Sequence, residues 1–189
     1  MEENKVIEGN KLENLYTPNC IRTVTGIYIN VFEPTEEMVC IEDIAHSLCQ
    51  QPRFGGHLPS FYSVAQHSLN CSYLIDQPEL KLAALLHDAS EAYLMDIPKP
   101  IKSGLTNYKE IEDRLMKVIA KKFGFDYPLN DEIKKVDEMM LQLEWDCLML
   151  RTKHWELSNK HSLDVKEDFI KLAKYYSHLT NTLSPKQTT

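Results

Sequence analysis

The chain has 189 residues, enough for about one domain, and at that length it buries on the order of 70% of its unfolded surface without disulfides or a structural metal. Its composition, 43% apolar and 26% charged, is that of a globular protein. A formal charge of −7 excludes a general nucleic-acid or anionic-membrane surface, although a local basic pocket for phosphate is still allowed. No apolar run approaches the ~18 residues of a membrane span. The start, MEENKVIEGNKLEN, is acidic and polar and has none of the features of a targeting peptide. The cysteines, Cys20, Cys40, Cys49, Cys71 and Cys147, are odd in number and irregularly spaced, with no CxxC pair. Reduced thiols in a cytoplasmic setting are the simplest reading.

In chain order, residues 1–20 are polar and aperiodic, the composition of a segment without fixed structure. Residues 21–184 are read as a single domain, and residues 185–189 as a polar tail. Thr23 to Phe32 is rich in β-branched and aromatic residues around Gly26 and predicts a short hairpin or two small strands. Ile41, Ile44, Ala45 and Leu48 form a helical stripe that Pro52 ends, and PRFGGHLPS (52–60) is a loop. Ser63 is the expected N-cap of a helix over 64–76 whose apolar face carries Val64, His67, Cys71 and Leu74. A helix over 78–94 is apolar nearly all round and is expected to be central and buried. DIPKPIK (96–102) is expected to be non-helical because of its two prolines. Further helices are expected over 107–123, ending at Gly124, from Asn130 or Asp131 to Arg151, and over 163–179. The fold class is therefore mostly α, with a small β-hairpin near the start.

Phosphate-loop, dinucleotide-fold, serine-hydrolase and HExxH motifs are absent. What stands out is polar groups in apolar places. His67 lies on an apolar helix face, His87 and Asp88 lie in the most apolar segment, and Asp137 shares a face with Ile133, Met140 and Leu141. An unpaired buried carboxylate costs several kcal/mol, so these groups need partners. Each has an ordinary alternative: a hydrogen-bonded core histidine for His67, a chance dipeptide for His87-Asp88, and local pairing with Lys134 or Lys135 for Asp137. Two imidazoles and two carboxylates converging on one divalent ion would satisfy all four together, and those donors suit Mn, Co, Zn, Fe or Ni.

The order His67, His87-Asp88, Asp137 resembles the HD superfamily of metal-dependent phosphohydrolases. HDASEAYLMDIPKPIK (87–102) resembles its 5′-deoxynucleotidase branch, and IEDIAHSLCQQPRFGGHLPSFYSVAQHS (41–68) resembles bacterial and phage relatives that include dATP triphosphohydrolases. Together with Asp137 these stretches cover roughly a third of the chain. The resemblance implies an HD-domain helical bundle with one divalent transition metal ion held by His67, His87, Asp88 and Asp137. The ion would activate water and polarise a phosphoryl oxygen. Glu91 would orient or deprotonate the attacking water. Arg53 would bind and act on substrate phosphate. Lys102 would add a second phosphate contact, and Asp96 would contact the sugar or support a ligand. His57, Phe54 and Tyr62 complete the expected substrate pocket. Phe54 stands where the deoxynucleotidase branch tends to have Trp. The implied activity is removal of the 5′-phosphate of a deoxynucleoside monophosphate. One alternative is release of triphosphate from a deoxynucleoside triphosphate. Others are a nucleotide-binding or regulatory module without turnover, and a helical protein whose polar groups pair internally. The implied partners are a small nucleotide and further copies of the chain, as a homodimer or larger homo-oligomer, with neither nucleic acid nor membrane.

Overall fold

The computed structural model describes residues 19–154 and 162–183; all but the last two residues of the expected unstructured start, and the polar tail, lie outside them. The described residues are mostly helical, with one two-stranded antiparallel sheet near the start. The strands are β1 (Ile21–Arg22) and β2 (Tyr28–Ile29), paired Ile21 with Ile29 and Arg22 with Tyr28. The hairpin thus begins earlier than the β-branched run suggested. Thr23 to Ile27 form the turn, closed by Thr23 N–H donating to Ile27 O at 2.8 Å and Ile27 N–H donating to Thr23 Oγ1 at 3.1 Å, with Gly26 at φ 91°.

The helices are α1 (Ile41–Gln50), α2 (Val64–Leu74), α3 (Lys81–Leu85), α4 (Glu91–Leu94), α5 (Lys99–Lys102), α6 (Tyr108–Phe123), α7 (Asp131–Glu144) and α8 (Ser162–Leu183). Helix α2 is the hub and packs against α1, α3, α7 and α8. It begins at Ser63, whose hydroxyl accepts from Gln66 N–H while the Gln66 side chain accepts from Ser63 N–H, a reciprocal cap. Because helices surround it, α2 buries polar as well as apolar positions: Gln66, His67, Ser68 and Ser72 join Val64, Ala65, Leu69 and Cys71. The larger core collects Ile44, Leu48, Leu85, Leu115, Ile119 and Phe169; a smaller one holds Cys71, Ile75, Ala83, Ile133 and Met140.

The expected helix over 78–94 is broken. A turn of 3₁₀ helix over Pro78–Leu80 leads into α3, and the chain then passes through turns before α4. Across the break the bonds tighten to three-residue spacing: Ala89 N–H reaches Leu86 O at 3.1 Å and Glu91 N–H reaches Asp88 O at 2.9 Å. The Ala84 carbonyl accepts from the His87 ring at 2.8 Å, a side chain standing where the next backbone donor would continue a helix. DIPKPIK does contain a helix, α5. Pro98 precedes it and Pro100 lies in its first turn, where backbone donors have no intrahelical partner, so neither ring removes a bond. Helix α6 ends at Gly124, which is left-handed at φ 79° and bonds back to Ala120 O at 2.8 Å. Asn130 caps α7 by accepting from Glu132 N–H at 2.8 Å. The α-helix then stops at Glu144 rather than near Arg151 and continues as a π-helical turn over Trp145–Met149. Helix α8 runs four residues past the expected end.

Asp43 fastens the hairpin to α1. Its carboxylate accepts from Thr25 N–H at 3.0 Å, Thr25 Oγ1 at 2.8 Å and Cys40 Sγ at 3.0 Å. Burial opposes its ionisation, but the hydrogen bonds outweigh burial and hold the carboxyl below its ordinary value. A depressed folded value gives stability that is complete above the unfolded value of about 3.9 and fades as pH falls through the lower folded value. Asp43→Asn is therefore expected to cost about 1–2 kcal/mol at pH 7. Urea unfolding should show the wild-type advantage shrinking toward zero near pH 2.

Candidate metal centre

His67 is fully buried in the middle of α2, between the helices that surround it. Its Nδ1 lies 2.7 Å from Glu144 Oε1 on α7. Burial opposes ionisation of Glu144, yet His67 and Arg53 hold its carboxyl below the usual range. The carboxylate can only accept, so His67 Nδ1 carries a proton, and in the neutral ring that leaves the Nε2 lone pair for an ion. His87 is set in the same way: the Ala84 carbonyl can only accept from its Nδ1. The two Nε2 atoms lie 3.2 Å apart.

Two carboxylates close on this pair. Asp137 Oδ1, from α7, is 3.1 Å from His67 Nε2 and 3.7 Å from His87 Nε2. Asp88 Oδ2 is 3.2 Å from His87 Nε2 and 3.7 Å from His67 Nε2. Cys71, one turn beyond His67, brings Sγ to 3.6 Å from His67 Nε2. His67, Cys71, His87 and Asp137 each offer a ligand atom within 4.8 Å of the others, a set that could hold a metal ion. The spacing fits one. Ligand bonds of about 2.0–2.2 Å place neighbouring donor atoms roughly 3.0–3.5 Å apart. Facing imidazole lone pairs and carboxylates repel one another until positive charge lies between them. Burial works against ionisation of Asp88 and Asp137, but contact with the two histidines holds both carboxyls low. The carboxylates in turn raise the histidines, against the effect of burial. Metal ions and protons compete for such a cluster.

Asp137 is less enclosed than its face suggested, with 42% of its side chain exposed. The buried stripe of α7 is Ile133, Val136, Met140 and Glu144, while Leu141 is exposed. Lys134 and Lys135 pair with Asp131 and Glu132, so neither serves as the partner of Asp137.

The surrounding residues fall into groups. Arg53 is buried, with Nη2 donating to Glu144 Oε2 at 3.0 Å, Nη1 lying 3.9 Å from Asp88 Oδ2, and Nε without a hydrogen-bond partner. Burial disfavours its charge, but Glu144 and Asp88 more than restore it. Phe54 lies beneath the guanidinium, 5.7 Å from ring centre to Cζ, and beside Trp145 at 6.1 Å between ring centres. Phe54 and Gly55 both adopt left-handed backbone angles, which fold the RFGG turn tightly enough to place Arg53 and Phe54 side by side. Glu91 opens α4 and is buried; its Oε1 is 3.9 Å from Lys102 Nζ and its Oε2 lacks a hydrogen-bond partner. Burial, then Asp88 and Asp96, push the Glu91 carboxyl well above its ordinary value. Asp96 is half-buried within the fields of Arg53 and Asp88, and its N–H donates to Gln51 Oε1 at 2.9 Å. Lys102 is engaged by Glu112 as well as lying near Glu91. Tyr62 is buried and faces inward, donating to Glu144 Oε1 at 2.9 Å and accepting from Asn70 Nδ2 at 2.8 Å. His57 is exposed at the end of the RFGG turn, and the structure does not bring it to the cluster.

Glu144 and Trp145 were missed at the sequence level. The signal for Glu144 was available: it stands seven residues, two turns, after Asp137 on the stripe through Met140. An acidic residue there reads as a break in the stripe rather than a member of it. Trp145 carried no such signal.

The fold and cluster define a mostly helical protein with a buried histidine and carboxylate centre that could hold a metal ion. No family model matches the chain. Over 124 residues it is 42% identical to the uncharacterized protein YfdR of Escherichia coli K12, covering 66% of this chain and 69% of that one. It is also 35% identical over 136 residues to an uncharacterized protein of Rhodobacter capsulatus, covering 65% and 69%. The chain belongs to the family of YfdR. Among the described residues no helix is long and apolar enough to cross a membrane.

Proposed function

We propose that this protein is a metal-dependent phosphohydrolase of the HD superfamily that removes the 5′-phosphate of a deoxynucleoside monophosphate. The supporting observation is the convergence of His67, His87, Asp88 and Asp137 from three parts of the chain, with the two imidazole Nε2 atoms 3.2 Å apart and an oxygen of each carboxylate 3.1–3.7 Å from both. These four are the proposed ligands of one divalent transition ion. Asp88 is preferred to Cys71 because a carboxylate is already ionised at neutral pH, whereas a thiol must lose a proton to ligate. A bound ion supplies Lewis acidity toward a phosphoryl oxygen and a water molecule.

The chain's own residues supply the rest. Arg53 is held by Glu144 through Nη2 alone, which leaves Nε and Nη1 to meet phosphate oxygens. Glu91 keeps a buried oxygen without a partner, placed to take a proton from water or to orient it. Lys102 Nζ lies 3.9 Å from Glu91 Oε1 and is hydrogen-bonded to Glu112, so it reaches phosphate only by exchanging Glu112. The Phe54–Trp145 pair offers an apolar edge beside Arg53 on which a base can rest.

A screen of phosphate release over dNMPs, NMPs and dNTPs, with Mn, Co and Zn added in turn, tests this reading. Free phosphate from dNMPs is the expected result. Intact triphosphate from dNTPs would assign the other hydrolysis. Metal binding with no turnover on any substrate would leave a binding or regulatory module.

A further inference from the structure

Glu144 has no exposed surface, and its two oxygens meet three donors from three other places in the fold. Oε1 accepts from His67 Nδ1 at 2.7 Å and from Tyr62 Oη at 2.9 Å, and Oε2 accepts from Arg53 Nη2 at 3.0 Å. A buried carboxylate is costly unless its lone pairs are matched, and here they are. The same anion meets a proposed metal ligand on one side and the proposed phosphate-binding arginine on the other. Arg53 closes a ring by approaching Asp88, the neighbour of His87, at 3.9 Å.

We propose that Glu144 is the positioning residue of this centre, fixing the His67 proton on Nδ1 so that Nε2 faces the ion while anchoring Arg53 through Nη2. The proposal rests on the metal-centre reading above and adds to it the residue that orients the centre. A carboxylate hydrogen-bonded to the outer nitrogen of a ligating histidine fixes the ring and raises its basicity. Glutamine at 144 cannot do both jobs. Its single carbonyl can serve His67 and Tyr62, but its amide then points N–H at the Arg53 guanidinium; turned over, the amide points N–H at His67 Nδ1 and favours the wrong tautomer. Tyr62 is the internal control. It bonds the same oxygen, so Tyr62→Phe removes one hydrogen bond to Glu144 while leaving the His67 link.

The test is titration of the metal-free full-length protein with Co(II) alone, read by calorimetry and by the visible absorption of the bound ion. Glu144→Gln is expected to weaken Co(II) about 10–100-fold and to change the absorption band, with an unchanged helical circular dichroism spectrum. Tyr62→Phe is expected to stay within about threefold of wild type. Equal affinity in wild type and Glu144→Gln overturns the proposal, as does a loss in Tyr62→Phe as large as in Glu144→Gln. Failure of the wild type itself to bind Co(II) overturns the metal-centre reading, and this proposal with it. If Glu144→Gln does not fold, nitrogen-15 NMR of the Zn(II)-loaded wild type decides. A His67 Nδ1 proton shifted far downfield by a carboxylate partner supports the proposal; its absence overturns it.

Discussion

Asp137→Asn is expected to reduce metal retained after exhaustive dialysis from one ion per chain to a small fraction, and to slow phosphate release about 10³-fold. That loss corresponds to ~4 kcal/mol of transition-state stabilisation. The amide keeps the shape of the side chain but offers a neutral, weaker donor where Oδ1 now stands 3.1 Å from His67 Nε2. Asp137 suits this experiment better than the other proposed ligands. His67 is fully buried and His87 nearly so, and removing either leaves a cavity and unpaired groups that would confound loss of metal with loss of fold. Asp137 is 42% exposed and lies on a long helix capped independently by Asn130, so the variant should fold. Elemental analysis and circular dichroism on one sample separate the two effects. A folded Asp137→Asn protein with full metal and full rate would contradict the proposed centre.

Glu91→Gln is expected to behave differently: kcat falls about 10²–10⁴-fold, the range for loss of a positioned acid or base, while metal content does not change. Glu91 touches none of the proposed ligands through its side chain; its carboxyl is related to them by charge, from Asp88, and to Lys102 at 3.9 Å. The variant therefore removes a proton acceptor without removing a ligand. Because Glu91 is buried with one oxygen lacking a hydrogen-bond partner, the isosteric amide adds little strain. The loss should fall on kcat rather than on KM, since Glu91 is not among the proposed phosphate contacts. A module without turnover would be indifferent to this change, so the result discriminates between enzyme and binding protein as well as testing the residue. Metal content falling together with rate would reassign Glu91 to the support of the cluster.

Both experiments bear on residues that were legible in the sequence, because each stood where its chemistry was out of place. A histidine and carboxylates in apolar helical stripes call for partners, and the HDASE stretch sets His87, Asp88 and Glu91 within five residues. Local punctuation was legible for the same kind of reason. The Ser63 cap, the Asn130 cap and the left-handed Gly124 depend on neighbours in sequence, and the structure places all three as expected. Pro100 misled because proline forbids a helix interior but not a first turn, and α5 is hardly longer than a first turn. The hairpin was set two residues late because its turn contains β-branched threonines. Those are held there by Asp43, 18 residues from Thr25, rather than by strand propensity.

Taken alone, the sequence determined the helical class, most helix ends, and which side chains could not remain unpartnered, since each follows from periodicity and from the cost of burying charge. The tertiary structure alone decided how those side chains meet. Successive residues on an α-helix diverge by about 100°, so His87 and Asp88 would point apart on the continuous helix that the apolar run predicts. They converge because the chain leaves helical geometry after Leu85 and the His87 ring takes the Ala84 carbonyl. Glu144 left a trace on its own helix, but the groups it binds were beyond reach for a related reason. Its partners His67, Tyr62 and Arg53 lie 77, 82 and 91 residues away, and no local pattern records a contact at that distance.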